Sequence, residues 1–159
     1  MAAPATRAEA CFALMKILLQ RVLRADVTVA ETTIARIGAG LLVFVAIEPG
    51  DDETKLRAMA DRILELRIFP DDRLPMNLSV QDVDGEVLVV SQFTLAADTS
   101  RGRRPGFSGA AAPAEARQGY ERLIALLRER WSRIAEGQFG ADMQVGLVND
   151  GPATFLLSK

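Results

Sequence analysis

The alternation of polar and apolar residues predicts a set of strands in the first third of this chain. Residues 17–29 end in DVTV, where apolar and polar positions alternate as in a strand with one buried face. Residues 41–47, LLVFVAI, are apolar throughout, which favours a strand buried on both faces. We expect residues 34–37 to form a hairpin with this strand across the break at 38–40.

Two later segments carry apolar residues at helical spacing. The acidic residues 51–53 suit the positive end of a first helix. Its apolar positions lie three or four residues apart: Leu56, Met59, Ile63 and Leu66. A second helix carries the stripe Tyr120, Ile124, Leu127, Trp131 and Ile134. Both patterns predict amphipathic helices packed on the sheet.

Three short strands are expected between the helices and two after them. Residues 68–69 and 78–83 are candidates, and Asp84-Gly85 predicts a hairpin turn into a strand over residues 86–95. Residues 143–147 alternate and lead into NDGPAT. The order favours an α+β domain with a largely antiparallel sheet and two main packing helices.

Composition limits the number of domains and the location. At 159 residues, 49% of them hydrophobic, the chain is long enough for one core, so we expect a single domain over residues 15–159. We interpret residues 1–14 as an N-terminal extension and not as a targeting peptide. The single cysteine, Cys11, excludes an internal disulfide and suits a reducing cytoplasm. No apolar run reaches the ~20 residues of a membrane span.

The absence of histidine is the strongest chemical constraint. No other side chain has an unperturbed pKa near neutrality, and the chain contains none. A Ser-His-Asp triad, a Cys-His pair and a histidine-bound metal are therefore excluded, and we expect neither metal nor cofactor. Proton transfer in any reaction must come from a carboxylate, a lysine, water or the substrate.

Three stretches could carry chemistry, and each has a structural alternative. SQFTL, residues 91–95, is either an ordinary strand end or a pocket floor whose amides bind an oxyanion. Arg101, Arg103 and Arg104 form either a solvated loop or a phosphate contact; because the net charge is only −2, an anionic partner needs such a local patch. NDGPAT, residues 149–154, is either a simple turn or a backbone-shaping element.

The two motifs SQFTL and NDGPAT resemble the signatures of the D-aminoacyl-tRNA deacylases. Six further segments are similar to that family in order and spacing: ILLQRV (17–22), GAGLLVFV (38–45), RIFPD (67–71), MNLS (76–79), RPGFS (104–108) and FGADMQV (139–145). The resemblance covers residues 15–158. It implies a homodimer with a barrel-like α+β fold that acts on the acceptor end of aminoacyl-tRNA, with no membrane and no DNA partner.

The resemblance also implies a reaction and its residues. The family hydrolyses the ester of D-aminoacyl-tRNA, and of mischarged glycyl-tRNA, as an editing step. The amides of Phe93 and Thr94 would stabilise the oxyanion, Ser91 and Gln92 would shape the pocket, and the substrate's ribose 2′-hydroxyl would help to activate water. This accounts for an enzyme without histidine.

Stereospecificity is implied to come from NDGPAT of the partner subunit. A cis Gly151-Pro152 bond would direct its carbonyls at the substrate amino group and clash with an L-side chain, and Arg21 would help to hold the loop; Asn149 belongs to the same gate. Phe139 and Met143 are implied to line the adenosine site, and the arginine loop to meet tRNA phosphates.

Two departures from the family pattern remain, together with two rival interpretations. Ala153 replaces the usual valine, and residues 1–14 have no counterpart. The main rival is a non-catalytic RNA-binding or dimeric interaction protein with the same fold, and a closer one is an editing relative with a different stereochemical preference.

Overall fold

The longest ladder of the sheet joins the first strand of the chain to the last. The computed structural model describes residues 14–159. Its elements are β1 (Lys16–Val29), β2 (Thr32–Ile37), β3 (Gly40–Ala46), α1 (Glu53–Glu65), β4 (Glu86–Ser91), a 3₁₀ helix (Phe93–Ala96), α2 (Pro113–Arg130), β5 (Ile134–Glu136) and β6 (Gln144–Ser158). β6 runs antiparallel along one edge of β1, and β3 and β2 pair antiparallel with β1 as well.

The rest of the sheet is parallel. β3 pairs with β4, and β4 pairs with β5, both in parallel. Parallel neighbours need a crossover connection, which α1 supplies between β3 and β4 and α2 supplies between β4 and β5. The α+β class with a nearly closed, barrel-like sheet and two helices is confirmed.

The hairpin turn of the first three strands lies before β2, so the hairpin expected across residues 38–40 is wrong. Ala30 and Glu31 form the turn with φ of 47° and 66°, and after a register shift between Val27 and Thr28 the β1–β2 pairing continues in the same register into β3. Residues 38–39 separate β2 from β3, and both strands pair with β1 in the same direction. Gly40 is needed for a different reason: a Cβ there would lie 1.8 Å from the Glu86 carbonyl oxygen across the β3–β4 pair.

The region between α1 and β4 also differs from the prediction. Phe69 and Leu78 form only an isolated bridge, and the residues after Leu78 form turns, so the strand expected at 78–83 and the Asp84-Gly85 hairpin are wrong. A side-chain cap explains the turn: the Asp82 carboxylate accepts from the Ser79 amide at 2.8 Å. β4 finds its partners elsewhere in the chain.

Two element ends differ as well. The strand expected over residues 86–95 stops at Ser91 and is followed by the 3₁₀ helix. α2 ends at Arg130, where Trp131 caps it and donates its indole N–H to the Gly85 carbonyl at 3.0 Å, and Ile134 begins β5 instead of continuing the helical stripe.

Both faces of the sheet are buried, as the apolar run of β3 predicts. Leu41, Val43 and Val45 pack with the helices in the larger core cluster, while Leu42 packs with strand residues in a smaller cluster on the other face. The helical positions Leu56, Met59 and Ile63 of α1 are buried as expected.

The extension expected at residues 1–14, including Cys11, lies outside the described residues except for Leu14. Within residues 14–159, no helix is long and apolar enough to cross a membrane. The boundaries of the single domain and the cytoplasmic location stay predictions.

Candidate active site

A pocket of about 490 Å³ opens where β3 and β4 end. Ligands of sheets with parallel strands commonly bind beyond the carboxyl ends of those strands. Five of the predicted site residues line the pocket: Ser91, Gln92, Phe93, Phe139 and Met143. Its other walls come from β3, the start of α2 and the segment before β6, and they are mostly apolar: Val45, Ile47, Val90, Ala110, Ala111, Pro113, Ala116, Gly140, Ala141, Asp142 and Val145.

The backbone at SQFTL has two unpaired amide groups. The Gln92 amide still donates to the Val45 carbonyl at 2.8 Å, which extends the β3–β4 ladder by one residue. In the 3₁₀ helix the first internal bond is donated by Leu95 to Gln92 at 3.2 Å, so the N–H groups of Phe93 and Thr94 precede it. Neither has an acceptor among residues 14–159. We call these two N–H groups the amide pair.

The side chains at SQFTL are arranged around these amides. The Phe93 ring is 59% exposed and lies 5.1 Å from the Phe107 ring, so the RPGFS segment packs on SQFTL. The Thr94 hydroxyl accepts a hydrogen bond from the Gln92 side-chain amide, and Thr94 is not a lining residue of the pocket.

Phe139 forms an aromatic wall of the pocket. Its ring lies 5.7 Å from that of Tyr120, whose hydroxyl donates to the Val89 carbonyl at 3.0 Å. Burial raises the pKa of Tyr120 well above its ordinary value and keeps the hydroxyl a neutral donor. The Arg117 guanidinium covers the other part of the Phe139 ring, 4.9 Å from its centroid. Phe139 is thus held from two sides.

Met143 is fitted closely into the same wall. A Cβ on Gly137 would lie 2.8 Å from the Met143 sulfur, so the glycine makes room for this side chain. The Gln138 amide also donates to that sulfur at 3.4 Å.

The loop that carries the three arginines, which we call the arginine loop, follows the 3₁₀ helix of SQFTL. Asp98 and Gly106 exchange backbone hydrogen bonds of 2.8 and 2.9 Å and close the loop at its base. Arg101, Arg103 and Arg104 are exposed beyond that base, and none of them pairs with a carboxylate among residues 14–159. The three positive charges therefore lie free beside the pocket.

NDGPAT is a bulge inside β6 and not a turn that breaks the strand. Gln20 of β1 pairs with Thr154 and Val22 pairs with Asn149, so residues 150–153 lie opposite Arg21 alone. We call these four residues the 150–153 bulge. The Gly151–Pro152 bond is cis, both residues are exposed, and Gly151 has φ of 130°, a conformation that favours glycine.

Side chains close the bulge at its base. The Asn149 side chain accepts from the Ala153 amide at 2.9 Å and donates to the Thr154 hydroxyl at 2.8 Å. The Thr154 hydroxyl also accepts from the Gln20 side chain at 3.1 Å. Ala153 itself is buried, so only the tip of the bulge projects from the sheet.

Arg21 fills the space under the tip. It is 9% exposed, and its Nε–H donates to the Asp150 carbonyl at 3.1 Å while Nη1–H donates to the Ile68 carbonyl at 2.6 Å. A Cβ on Gly151 would lie 2.8 Å from Nη2. The guanidinium fork therefore links the bulge to the segment that follows α1.

The structure does not bring the two predicted halves of the site together within one protomer. None of Asn149, Gly151, Pro152 and Arg21 lines the pocket. Three strand spacings and four residues of β1 separate them from Ser91, which is on the order of 20 Å over the sheet.

Several supporting residues were missed by the sequence analysis. They are Arg117, Phe107 and Tyr120 around the pocket, and Gln20, Thr154 and Ile68 around the bulge. Phe107 and Tyr120 could have been selected from the sequence, because aromatic residues make up only 6% of the chain. The contact made by the Ile68 backbone carbonyl could not, because every residue has such a group. Within the described residues, no cluster of three or more metal-binding side chains is present.

Comparison with known proteins gives a consistent result. The sequence model of one family, described as D-Tyr-tRNA(Tyr) deacylase, matches residues 18–158. A D-aminoacyl-tRNA deacylase of Xanthomonas axonopodis pv. citri is 53% identical over 144 residues, which is 90% of this chain and 99% of the relative. One from Azotobacter vinelandii is 54% identical over 143 residues, again covering 90% and 99%.

Solved structures show the same fold. One described as c-Myc DNA unwinding element binding protein is 40% identical, with a TM-score of 0.84, and the match covers 89% of this chain and 97% of the other. One described as a probable eukaryotic D-amino acid tRNA deacylase has a TM-score of 0.81 at 19% identity and covers 92% and 100%.

Proposed function

The chain belongs to the D-Tyr-tRNA(Tyr) deacylase family, and from that membership we propose how its pocket and its bulge share the hydrolysis of D-aminoacyl-tRNA. It is a D-aminoacyl-tRNA deacylase, a carboxylic ester hydrolase. The observation that carries the proposed mechanism is the amide pair: two backbone donors without acceptors at the end of β4, beside a pocket lined by Phe93.

The amide pair is the proposed oxyanion hole. Water attacks the ester carbonyl, the carbonyl oxygen gains negative charge, and the N–H groups of Phe93 and Thr94 stabilise it. The bond to the terminal ribose oxygen then breaks and a proton passes to that oxygen. One such donor is worth about 10²–10³ in rate where it has been tested. Ser91 and Gln92 fix the shape of the pocket floor.

Water is activated by the substrate in this mechanism. The chain has no histidine, and within residues 14–159 the pocket lining carries one ionisable side chain, that of Asp142. The 2′-hydroxyl of the terminal ribose lies next to the ester in any aminoacyl-tRNA and supplies the missing group. This is why the chemistry needs no side-chain nucleophile.

Phe139 and Met143 are the proposed adenosine contacts. Stacking of a base on an aromatic side chain is worth about 1–3 kcal/mol, and the Phe139 ring is held by Tyr120 and Arg117. The charges of Arg101, Arg103 and Arg104, which have no ion-pair partner among the described residues, would contact the phosphates of the acceptor end. Their long-range attraction compensates for the net charge of −2.

Stereospecificity is proposed to come from the 150–153 bulge of a second copy in a homodimer. In one protomer the bulge and the pocket lie apart, so a site with both needs two subunits. The carbonyls of Gly151 and Pro152 would bind the substrate amino group, and an L-side chain would collide with this backbone. A D-side chain points away and glycine has none, so glycyl-tRNA is also accepted. Rigid rejection is useful because attractive contacts with a small side chain supply only ~1–3 kcal/mol.

The first test compares tRNA charged with the D- and the L-form of one amino acid. We expect hydrolysis of the D-form far above the buffer rate and of the L-form at the buffer rate. Hydrolysis of both the D- and the L-aminoacyl-tRNA at the buffer rate would favour the non-catalytic RNA-binding alternative. Equal rapid loss of both would leave the enzyme and remove the proposed gate.

A second test replaces the terminal ribose 2′-hydroxyl by hydrogen. Binding of the modified aminoacyl-tRNA should persist and turnover should be lost, whereas the same replacement at the penultimate nucleotide should have little effect. Full turnover on the modified terminal residue would assign the activation of water to a protein side chain.

A further inference from the structure

A hydrogen-bonded network on the loop after α1 has no part in the proposed reaction. The Arg67 Nε–H donates to the Asn77 carbonyl at 2.6 Å, and its Nη2–H donates to the Asn77 side-chain oxygen. The Asn77 side-chain amide in turn donates to one oxygen of Asp71. Asn77 is therefore held from both ends of its side chain.

Asp71 anchors the network to the backbone of the same loop. Its second oxygen accepts from the amides of Arg73 at 2.9 Å and Leu74 at 2.8 Å. Hydrogen bonds from the Asn77 side chain and then from the Leu74 and Arg73 amides hold the pKa of Asp71 below its ordinary value. The carboxylate is thus charged and fully engaged at neutral pH.

The network lies next to the Ile68 backbone carbonyl, which binds the arginine under the bulge. Phe69 and Leu78 exchange backbone hydrogen bonds of 2.9 Å, and the Asn77 amide donates to the Phe69 carbonyl at 2.9 Å. The preceding carbonyl, that of Ile68, accepts from Arg21 at 2.6 Å. Since the same guanidinium donates to the Asp150 carbonyl at 3.1 Å, the chain of contacts runs from the loop to the bulge.

The network is not part of the hydrophobic core. Arg67 is exposed and Asn77 is half-buried, whereas the side chains of Ile68 and Phe69 are buried and hold the segment without it. The network instead holds Asn77, the residue before Leu78, and the Leu78 carbonyl accepts from the Phe69 N–H, which belongs to the same peptide group as the Ile68 carbonyl. Because the Arg21 guanidinium is planar and donates to two carbonyls, its position depends on the direction in which the Ile68 carbonyl points.

We propose that Arg67, Asn77 and Asp71 are positioning residues for stereospecificity, which orient the Ile68 carbonyl and through Arg21 set the position of the 150–153 bulge. The proposal rests on the gate described above. A gate that works by collision must be rigid, because displacements of about 1 Å in a positioning group can cost ~10² in rate.

The test measures kcat/KM for matched D- and L-aminoacyl-tRNA with Asn77→Ala and Arg67→Ala. Each variant should lower the D-to-L ratio by roughly tenfold, within the range that misplaced positioning groups cost. The loss should come mainly from faster hydrolysis of the L-form. Arg73→Ala is the matched control: it removes an exposed charged side chain from the same loop and keeps the backbone amide that donates to Asp71.

A double-variant cycle separates positioning from general damage. If Asn77 acts through Arg21, then Asn77→Ala added to Arg21→Ala should leave the D-to-L ratio of the single Arg21 variant unchanged. Arg21→Lys takes the place of Arg21→Ala if the alanine variant does not fold. The proposal would be overturned if the double variant lowered the D-to-L ratio by the product of the two single effects. A wild-type ratio in folded Asn77→Ala and Arg67→Ala would also overturn it.

The same data distinguish this proposal from the gate itself. A wild-type protein without discrimination removes the gate, whereas an Arg21 variant with wild-type discrimination leaves the gate and removes the positioning route through Arg21. Discrimination that is lost with Arg21→Ala and retained with Asn77→Ala removes only the positioning role.

Discussion

The pocket and the 150–153 bulge expose backbone groups in opposite ways. At the pocket, β4 ends and the 3₁₀ helix begins, so the Phe93 and Thr94 amides precede its first hydrogen bond and have no acceptor among residues 14–159. At the bulge, β6 continues, and residues 150–153 are displaced from the ladder opposite Arg21. One region needs only a change of secondary structure, whereas the other needs a buried guanidinium.

This difference predicts where substitutions will have an effect. The amide pair is independent of the side chains that carry it, since any residue has an N–H at that place. The bulge depends on named side chains, because Asn149 and Arg21 supply its hydrogen bonds. Function should therefore be sensitive to side chains at the bulge and tolerant of them at Thr94.

The largest effect is expected from Gly151→Ala. The new Cβ would lie 2.8 Å from the Arg21 guanidinium, at a φ of 130° that L-residues rarely adopt. We expect D-aminoacyl-tRNA hydrolysis to fall by about 10²-fold, as for a positioning group displaced by about 1 Å. Gly50→Ala is the control: its φ is 83° but it has open space, so it should cost about 1–2 kcal/mol in unfolding and leave the D-to-L ratio intact.

Arg21→Ala should come next. It leaves the buried Ile68 carbonyl and the part-buried Asp150 carbonyl without a charged donor, and a hydrogen bond to a charged group contributes about 1.5–3 kcal/mol. We expect a lower unfolding temperature together with a lower D-to-L ratio. Arg24→Ala, at an exposed position of the same strand, should change neither quantity. A normal ratio in folded Arg21→Ala would show that the bulge does not need this support.

Phe139→Ala tests the pocket by a different signature. Loss of a stacking wall should raise KM about 10–100-fold, corresponding to the ~1–3 kcal/mol of one base stack, with kcat little changed. Steady-state kinetics on D-aminoacyl-tRNA separates the two constants. A fall in kcat at constant KM would place the ring in the chemical step instead of in binding.

The smallest effect is expected from Thr94→Val. The substitution keeps the backbone amide and removes a hydroxyl that accepts from Gln92, so the rate constant should change less than about threefold, because the oxyanion donor is retained. Single-turnover hydrolysis of D-aminoacyl-tRNA measures it. A loss of two orders of magnitude would instead identify the threonine oxygen as a participant in the reaction.

Local pattern was enough for much of the fold. The alternation in β1, the doubly buried run of β3 and the acidic start of α1 each give a signal within a few residues, and all three elements form where expected. A connection was indicated after residue 29, but the tight β1–β2 hairpin was not predicted, because Ala30 and Glu31 adopt positive φ without the Asn or Gly that normally marks such a turn. The parallel partners of β4 were missed because pairing across a crossover helix leaves no local signal.

The site could be predicted as residues but not as an arrangement. SQFTL indicated backbone donors, yet its helical continuation, which leaves those donors unpaired, was expected to be strand. NDGPAT indicated a special backbone, yet a turn and a bulge have similar residues, and only the β1–β6 register separates them. The Arg21 contact with the Ile68 carbonyl depends on chain positions 47 residues apart.

The central claim, that each active site combines the pocket of one subunit with the 150–153 bulge of the other, is tested most directly by a purified heterodimer of Phe139→Ala and Gly151→Ala. In a two-fold dimer one of its two sites then carries both substitutions and the other carries neither, so kcat/KM should recover to about half of the wild-type value. A heterodimer no more active than the mean of the two parent variants would contradict the claim and place each site within a single subunit.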